Sequence, residues 1–303
     1  MSEGQGRFLV VRGGAIGDFI LTLPVFAALR EMFPNSHVEL LGYPNVTRLA
    51  LAGGAVDAAR SIDARPMASY FIRRGESDPS LRDYFGSFHV VVSYLYDPDG
   101  FFQVNVCKCG ELQFIQGIHR PDENGNLHAT AALLQALERL AIFGTDPTPR
   151  LDFGTGAATD LVAVHPGSGS EKKNWPVGKW EELLRQLSAE QRLLVIGGEA
   201  DRERLERLRT AVPGDGIEFL QNAPLDEVGR RLQTCRAFVG HDSGITHLAA
   251  AVGLPGVCLW GETNETVWRP RSDRFEILRG GIGLGAIGVD DVLERLRDRM
   301  KLT

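Results

Sequence analysis

Three segments combine small residues, charge and acceptors at spacings suited to holding a phosphate ester and moving a proton beside it. The first is Val11-Arg12-Gly13-Gly14-Ala15-Ile16-Gly17-Asp18-Phe19. Its glycines let the backbone turn sharply and a ligand approach without Cβ interference. Asp18 reads two ways, as the N-cap of the following helix or as a carboxylate able to accept a proton. If it is the cap, Asp18→Asn leaves stability nearly unchanged, because Asn caps about as well as Asp. The second segment runs from His165 to Pro176. Gly167, Ser168, Gly169 and Ser170 supply N–H groups and hydroxyls, and Lys172 and Lys173 supply positive charge. That combination suits a nucleotide diphosphate; a solvated loop with two surface lysines has the same composition. The third runs from Val239 to Ala251. Asp242-Ser243-Gly244 opens a small-residue helix whose N–H groups and dipole favour an anion. Asp242 can cap that helix or accept from a ribose, and His247 lies one turn in. Glu199 and the Trp260-Gly261-Glu262-Thr263 turn end neighbouring strands on the same edge.

Other chemistries find no support. The first segment is G-G-x-x-G rather than G-x-G-x-x-G, and no acid ends the second strand, so it is not the dinucleotide fingerprint; it lacks the G-K-[ST] of a P-loop. The four cysteines, Cys107, Cys109, Cys235 and Cys258, form no C-x-x-C pair and read as reduced structural thiols. No metal site or cofactor is expected. The net charge of −6 divides evenly, −3 in residues 1–150 and −3 in 151–303, so neither half is a basic nucleic-acid-binding module. No apolar run reaches the ~20 residues of a membrane span, and no signal-peptide pattern opens the chain; the expected location is the cytoplasm.

These segments need strands to end at them and helices to start from them. The sequence has that rhythm. FLVV (8–11) reads as a strand, followed by a helix with Pro24 near its start and by the strand VELL (38–41). Residues 44–87 read as two or three short helices, 89–96 as a buried strand, 114–118 as a weaker one and 128–143 as one helix. Residues 144–159, dense in Gly, Pro and Thr, read as a linker. Strands at 161–165, 193–198, 217–220, 237–240 and 256–260 then alternate with helices, the last at 289–301. Such alternation predicts α/β architecture with parallel sheets. A length of 303 residues suits two domains, 1–150 and 151–303, with a last helix free to pack back on the first. Ligands of such sheets bind beyond the carboxyl ends of the strands.

Taken in order, GGAIGDFILTLPVFAALR, HPGSGSEKKNWP, the IGGEAD turn and GHDSGITHLAAAVGLPGVCLWGETN resemble glycosyltransferase family 9, the heptosyltransferases of lipopolysaccharide core assembly. Residues 44–130 carry little of the likeness, and the D-S-G-x-x-H-L-A-A-A stretch is its most specific part. The resemblance implies the GT-B fold, two Rossmann-like domains with parallel sheets facing a central cleft. Acceptor is then bound mainly by the first domain and donor by the second, without a divalent metal. It implies that Asp18 is the general base, that Ser168 and Gly169 lie near the donor phosphates and Lys173 neutralises them, and that Glu199 holds the ribose hydroxyls. Asp242, Ser243, Gly244 and His247 become diphosphate and sugar contacts. Arg65, Arg73, Arg74 and Arg120, scattered among acids, are the candidates for an anionic acceptor.

The reaction so implied is inverting, metal-independent sugar transfer, with ADP-heptose as donor and a lipopolysaccharide-core or other glycan or glycolipid as acceptor. A peripheral contact with the inner face of the membrane would accompany a lipid-linked acceptor. A sugar-nucleotide epimerase or hydrolase of the same fold, or a non-catalytic sugar-nucleotide binder, would carry many of the same residues. A nicotinamide-dependent dehydrogenase is disfavoured by the failed fingerprint.

Overall fold

The computed structural model describes residues 6–75 and 78–301. The chain divides into two compact units, Met1–Pro147 and Thr148–Thr303.

The first unit holds five parallel strands: β1 (Arg7–Arg12), β2 (His37–Gly42), β3 (Ala58–Ser61), β4 (Val90–Ser93) and β5 (Gln113–Gln116), in the order β3-β2-β1-β4-β5. β1 lies between β2 and β4, and Phe8 to Val11 are buried, which is why this strand reads as an unbroken apolar run. The helices are α1 (Ile16–Met32), α2 (Pro44–Ala52), α3 (Pro79–Gly86), α4 (Phe101–Cys107) and α5 (Ala129–Leu134). Three expectations are corrected here. Pro24 lies in the middle of α1, not near its start. Residues 44–87 contain two α-helices and a 3₁₀ turn at Arg65–Phe71, but also the edge strand β3, whose sequence AARS has no apolar run because it is only partly buried. The single helix expected over 128–143 is α-helical only to Leu134 and continues as a 3₁₀ helix, Gln135–Leu140. There the buried Tyr94 hydroxyl donates to the Leu133 carbonyl at 2.8 Å and competes for the acceptor a continuous helix would offer Leu137.

The second unit holds six parallel strands: β6 (Val162–His165), β7 (Leu193–Gly197), β8 (Ile217–Gln221), β9 (Ala237–His241), β10 (Gly256–Trp260) and β11 (Phe275–Arg279), in the order β11-β10-β9-β6-β7-β8. β11, another partly buried edge strand, was not legible in the sequence. The helices are α6 (Val177–Ser188), α7 (Arg202–Ala211), α8 (Leu225–Thr234), α9 (Gly244–Ala251), α10 (Glu265–Trp268) and α11 (Val289–Met300). α11 buries Val289, Val292, Leu293 and Leu296, an i, i+3, i+4, i+7 stripe, in the second unit's own core with Trp175 and Trp180. That core receives the last helix. All four cysteines are free thiols. Among the described residues no helix is long and apolar enough to cross a membrane.

The strand orders set the crevices where ligands of such sheets bind. In the first unit the chain winds outward from β1 through β2 and β3, then returns to β4 on the other side of β1. In the second it winds from β6 through β7 and β8, then returns to β9 on the other side of β6. Where winding reverses, the loops after the two adjacent strands diverge and leave a crevice at their carboxyl ends. The switch points are therefore β1/β4 and β6/β9, and the three segments follow β1, β6 and β9.

Candidate functional site

β1 ends in Arg12, and α1 begins at Ile16 with Ala15 as N-cap. Asp18 is therefore not the cap residue; it is the third residue of the helix. Its Oδ2 accepts from the Ala15 N–H at 2.8 Å, and its Oδ1 meets Arg12 Nη2 at 3.1 Å. The Arg12 side chain is 3% exposed and that of Asp18 30%. The rest of the guanidinium donates to carbonyls, Nε to Asp18 at 3.3 Å and Nη1 to Tyr94 at 3.4 Å and His119 at 3.0 Å. Burial pulls the Arg12 guanidinium below its ordinary value, and the Asp18 charge opposes that pull. Gly14 has φ +98, and a Cβ there would come within 2.6 Å of Asp18 Oδ2. The turn so holds one carboxylate at the β1/β4 switch point, partly open to solvent. Each oxygen has one partner and keeps a further acceptor site.

Of the four arginines expected near an acceptor, Arg120 follows His119, is exposed, and pairs with Glu123. Its pKa is raised by the hydrogen bond to and charge of Glu123 and, less, by the charge of Asp18. Arg65 opens the 3₁₀ turn Arg65–Phe71 and Arg73-Arg74 follow it, all three exposed.

In the second unit the loops after β6 and β9 meet. Lys173 Nζ lies 2.6 Å from Asp242 Oδ2, the side chains being 41% and 10% exposed. Asp242 is thus an ion-pair partner and not the helix cap. Ser243 caps α9, accepting from the Thr246 N–H at 3.3 Å, and lies 3.2 Å from His165 Nδ1. Gly244 opens the helix, and His247 is buried on it. Ser168 Oγ donates toward Asn174 Oδ1 at 2.7 Å and the Ser170 carbonyl at 2.9 Å; Gly169 beside it is exposed. An ammonium with three donors, held by Asp242 and half open, still has N–H groups to offer an anion near the first turn of α9.

Glu199 opens the short turn after β7, exposed on the wall of an open groove of about 750 Å³ shared with Glu171 and Arg204. Arg204 Nη2 donates to both Glu171 oxygens at 2.9 Å and ties α7 to the loop that carries Lys173. Three supporting residues lie inside the quoted segments but have no role in the sequence reading: Arg12, Asp201 and His241. Asp201 Oδ2 accepts from the Gly198 N–H at 2.8 Å, and a Cβ on Gly167 would lie 1.7 Å from Asp201 Oδ1. Only the arginine gave a signal, as a cation directly after an apolar strand run. Among the described residues no group of three His, Cys, Asp or Glu side chains could hold a metal.

Residues 128–285, more than half of the chain, match the model of glycosyltransferase family 9 (heptosyltransferase). The chain belongs to glycosyltransferase family 9. Lipooligosaccharide heptosyltransferase 2 of Haemophilus influenzae is 33% identical over 39% of this chain and 36% of that relative. The match thus spans little more than a third of that curated relative's length. Among solved structures, a family 9 glycosyl transferase from Veillonella parvula has a TM-score of 0.82 at 15% identity, covering 100% of this chain and 99% of that one. ADP-heptose lipopolysaccharide heptosyltransferase II of E. coli has a TM-score of 0.77 at 19% identity, covering 98% and 99%. At such identities these likenesses establish the two-sheet α/β fold. The family match covers the Lys173–Asp242 cluster but begins after Asp18, so the glycine turn of the first unit stands on its own geometry.

Proposed function

We propose that this family 9 chain is an inverting, metal-independent glycosyltransferase that moves a heptose from ADP-heptose to a lipopolysaccharide-core or related glycan acceptor. The observation that carries the reading is the Lys173–Asp242 pair beside the Ser243-capped start of α9, at the β6/β9 switch point. A sugar nucleotide's leaving group is a diphosphate, and its departure needs fixed positive charge and N–H donors placed beforehand. Lys173 supplies the charge, anchored by Asp242, and the first turn of α9 supplies the donors. Ser168, Gly169 and His247 complete the donor contacts, and Glu199 takes the ribose hydroxyls at its groove. In the first unit Asp18 accepts the proton of the acceptor hydroxyl as that oxygen attacks the anomeric carbon. Arg120, with Arg65, Arg73 and Arg74, receives an anionic acceptor.

The acceptor's lipid anchor calls for contact with the inner face of the membrane, the enzyme being otherwise cytoplasmic. In support, Phe71 and Ile72 are 40% and 56% exposed immediately before Arg73 and Arg74, an apolar step beside two cations suited to an anionic interface. The deciding experiment is incubation with ADP-heptose, with and without core oligosaccharide. Transfer that requires the acceptor supports the reading. Acceptor-independent turnover indicates an epimerase or hydrolase, and tight binding without turnover a sugar-nucleotide binder.

A further inference from the structure

His241 ends β9 with its side chain wholly inside the second unit, 0% exposed. Both ring nitrogens are used. Nε2 accepts from the Trp175 N–H at 2.8 Å, and Nδ1 lies 3.2 Å from the Gly167 carbonyl. A nitrogen that accepts from an N–H carries no proton, so the ring is neutral and its hydrogen is on Nδ1, donated to Gly167. Gly167 and Trp175 are the two ends of the loop that carries Ser168, Gly169 and Lys173. One imidazole closes that loop at its base. The next residue, Asp242, holds Lys173 at 2.6 Å. The Thr246 hydroxyl donates to the His241 carbonyl and ties the same point to the first turn of α9. Trp180 meets the ring edge-on, centroids 5.2 Å apart at 88°, and fixes its plane.

We infer that His241 is a positioning residue for the diphosphate loop: its neutral Nδ1–H imidazole clamps Gly167 to Trp175 and so sets Lys173 against Asp242. The inference rests on the reading of this loop as the donor site. The simpler role, filling core volume beside Trp180, needs only a flat ring. The clamp needs one acceptor and one donor in a single side chain, and the two roles therefore separate by substitution. Phe keeps a ring against Trp180 and removes both bonds, leaving a buried N–H and a buried carbonyl without their partner. Gln removes the ring and keeps one acceptor and one donor.

The test uses the whole chain, with ADP as probe. Nitrogen-15 NMR of the His241 imidazole at neutral pH reads the tautomer, and a ring protonated on Nδ1 alone is expected. Calorimetry with ADP then compares wild type, His241→Phe and His241→Gln. The Phe variant is expected to lose about tenfold in affinity and the Gln variant less than about threefold. In steady state the donor KM rises and the acceptor KM stays. A proton on Nε2, or an imidazolium, overturns the inference. So does a folded Phe variant that binds ADP as wild type does, or a Gln variant as weak as Phe. Should the Phe variant fail to fold, the tautomer and the Gln variant decide in the same way. A wild-type chain with the Nδ1–H tautomer but no affinity for ADP would refute the donor reading and leave the imidazole bridge in place, so the two failures are distinguishable.

Discussion

In the first unit the charge that holds the candidate base is buried: Arg12 is 3% exposed beneath Asp18, and its other donors reach three backbone carbonyls. In the second unit Lys173 is 41% and Asp242 10% exposed, and the buried polar groups beneath them include the imidazoles of His165 and His241 and the Asp201 carboxylate. A buried arginine keeps its charge at every working pH, so the first site depends on the carboxylate that neutralises it. A buried neutral histidine is the reverse, stable until the medium supplies a proton it cannot accept in place. The contrast also suits the two tasks. A single base needs one rigid anchor, whereas a diphosphate needs several donors from separate loops, which have to be tied to one another.

The largest expected effect breaks the first site. Asp18→Asn should lower the transfer rate by about 10²–10⁴, the usual contribution of a positioned base. The structure changes the expected stability. Asn no longer neutralises Arg12, so the first unit should also lose about 2 kcal/mol, less than for a fully buried pair because Asp18 is partly exposed. ADP affinity should stay as in wild type, because the proposed donor site lies in the other unit. A variant that transfers sugar at the wild-type rate would remove Asp18 from the mechanism.

Next in size, Lys173→Ala should weaken ADP binding by about 1.5–3 kcal/mol, or roughly ten- to a hundredfold in Kd. It removes the proposed charge-assisted phosphate contact and also leaves Asp242, 10% exposed, without its cation. Unchanged affinity by calorimetry would refute the assignment.

Acid should separate the units by about as much. Burial pushes the His241 pKa down to about 3 from its ordinary 6.5. Between those values the unfolded chain binds the proton and the folded one does not, so stability present at neutral pH is lost as pH falls. From about pH 7 to about pH 5 this amounts to about 2 kcal/mol, and His165, also lowered by burial, adds in the same direction. All four tryptophans, Trp175, Trp180, Trp260 and Trp268, lie in the second unit, and all five tyrosines in the first. Tryptophan-detected urea unfolding should therefore show the loss, reduced in His241→Phe. Tyrosine-detected unfolding should show less of it, because His165 and His241 both lie in the second unit. Equal acid sensitivity of the two signals would erase the contrast.

The smallest effect is none. EDTA should leave transfer unchanged, since in the proposed mechanism Lys173 and the α9 N–H groups take the role of a metal. Loss of activity on chelation, restored by magnesium or manganese, would overturn this.

Much of this was legible because parallel strands buried on both faces must be apolar throughout: β1, β6, β7, β9 and β10 stand out in the sequence for that reason. The glycine turns and the Asp242-Ser243-Gly244 helix start were legible for a similar reason, since tight turns and helix starts are locally determined. The partly buried edge strands β3 and β11 were not, because half-exposed strands need no apolar run. Nor was the break after Leu134, which depends on a hydroxyl from Tyr94, 39 positions away in sequence.

The sequence alone thus determined which residues could bind a phosphate or take a proton, and that each would follow a strand. Their partners are a different matter. That Asp18 pairs with Arg12 as well as taking the Ala15 N–H at the helix start, that Asp242 belongs to Lys173 and leaves the cap to Ser243, and that His241 closes a loop 66 and 74 positions away were decided by the tertiary structure. Caps and turns are settled among neighbours in the chain. Ion pairs and buried hydrogen bonds are settled by which strands lie side by side, and β6 comes to lie beside β9 only when the sheet assembles.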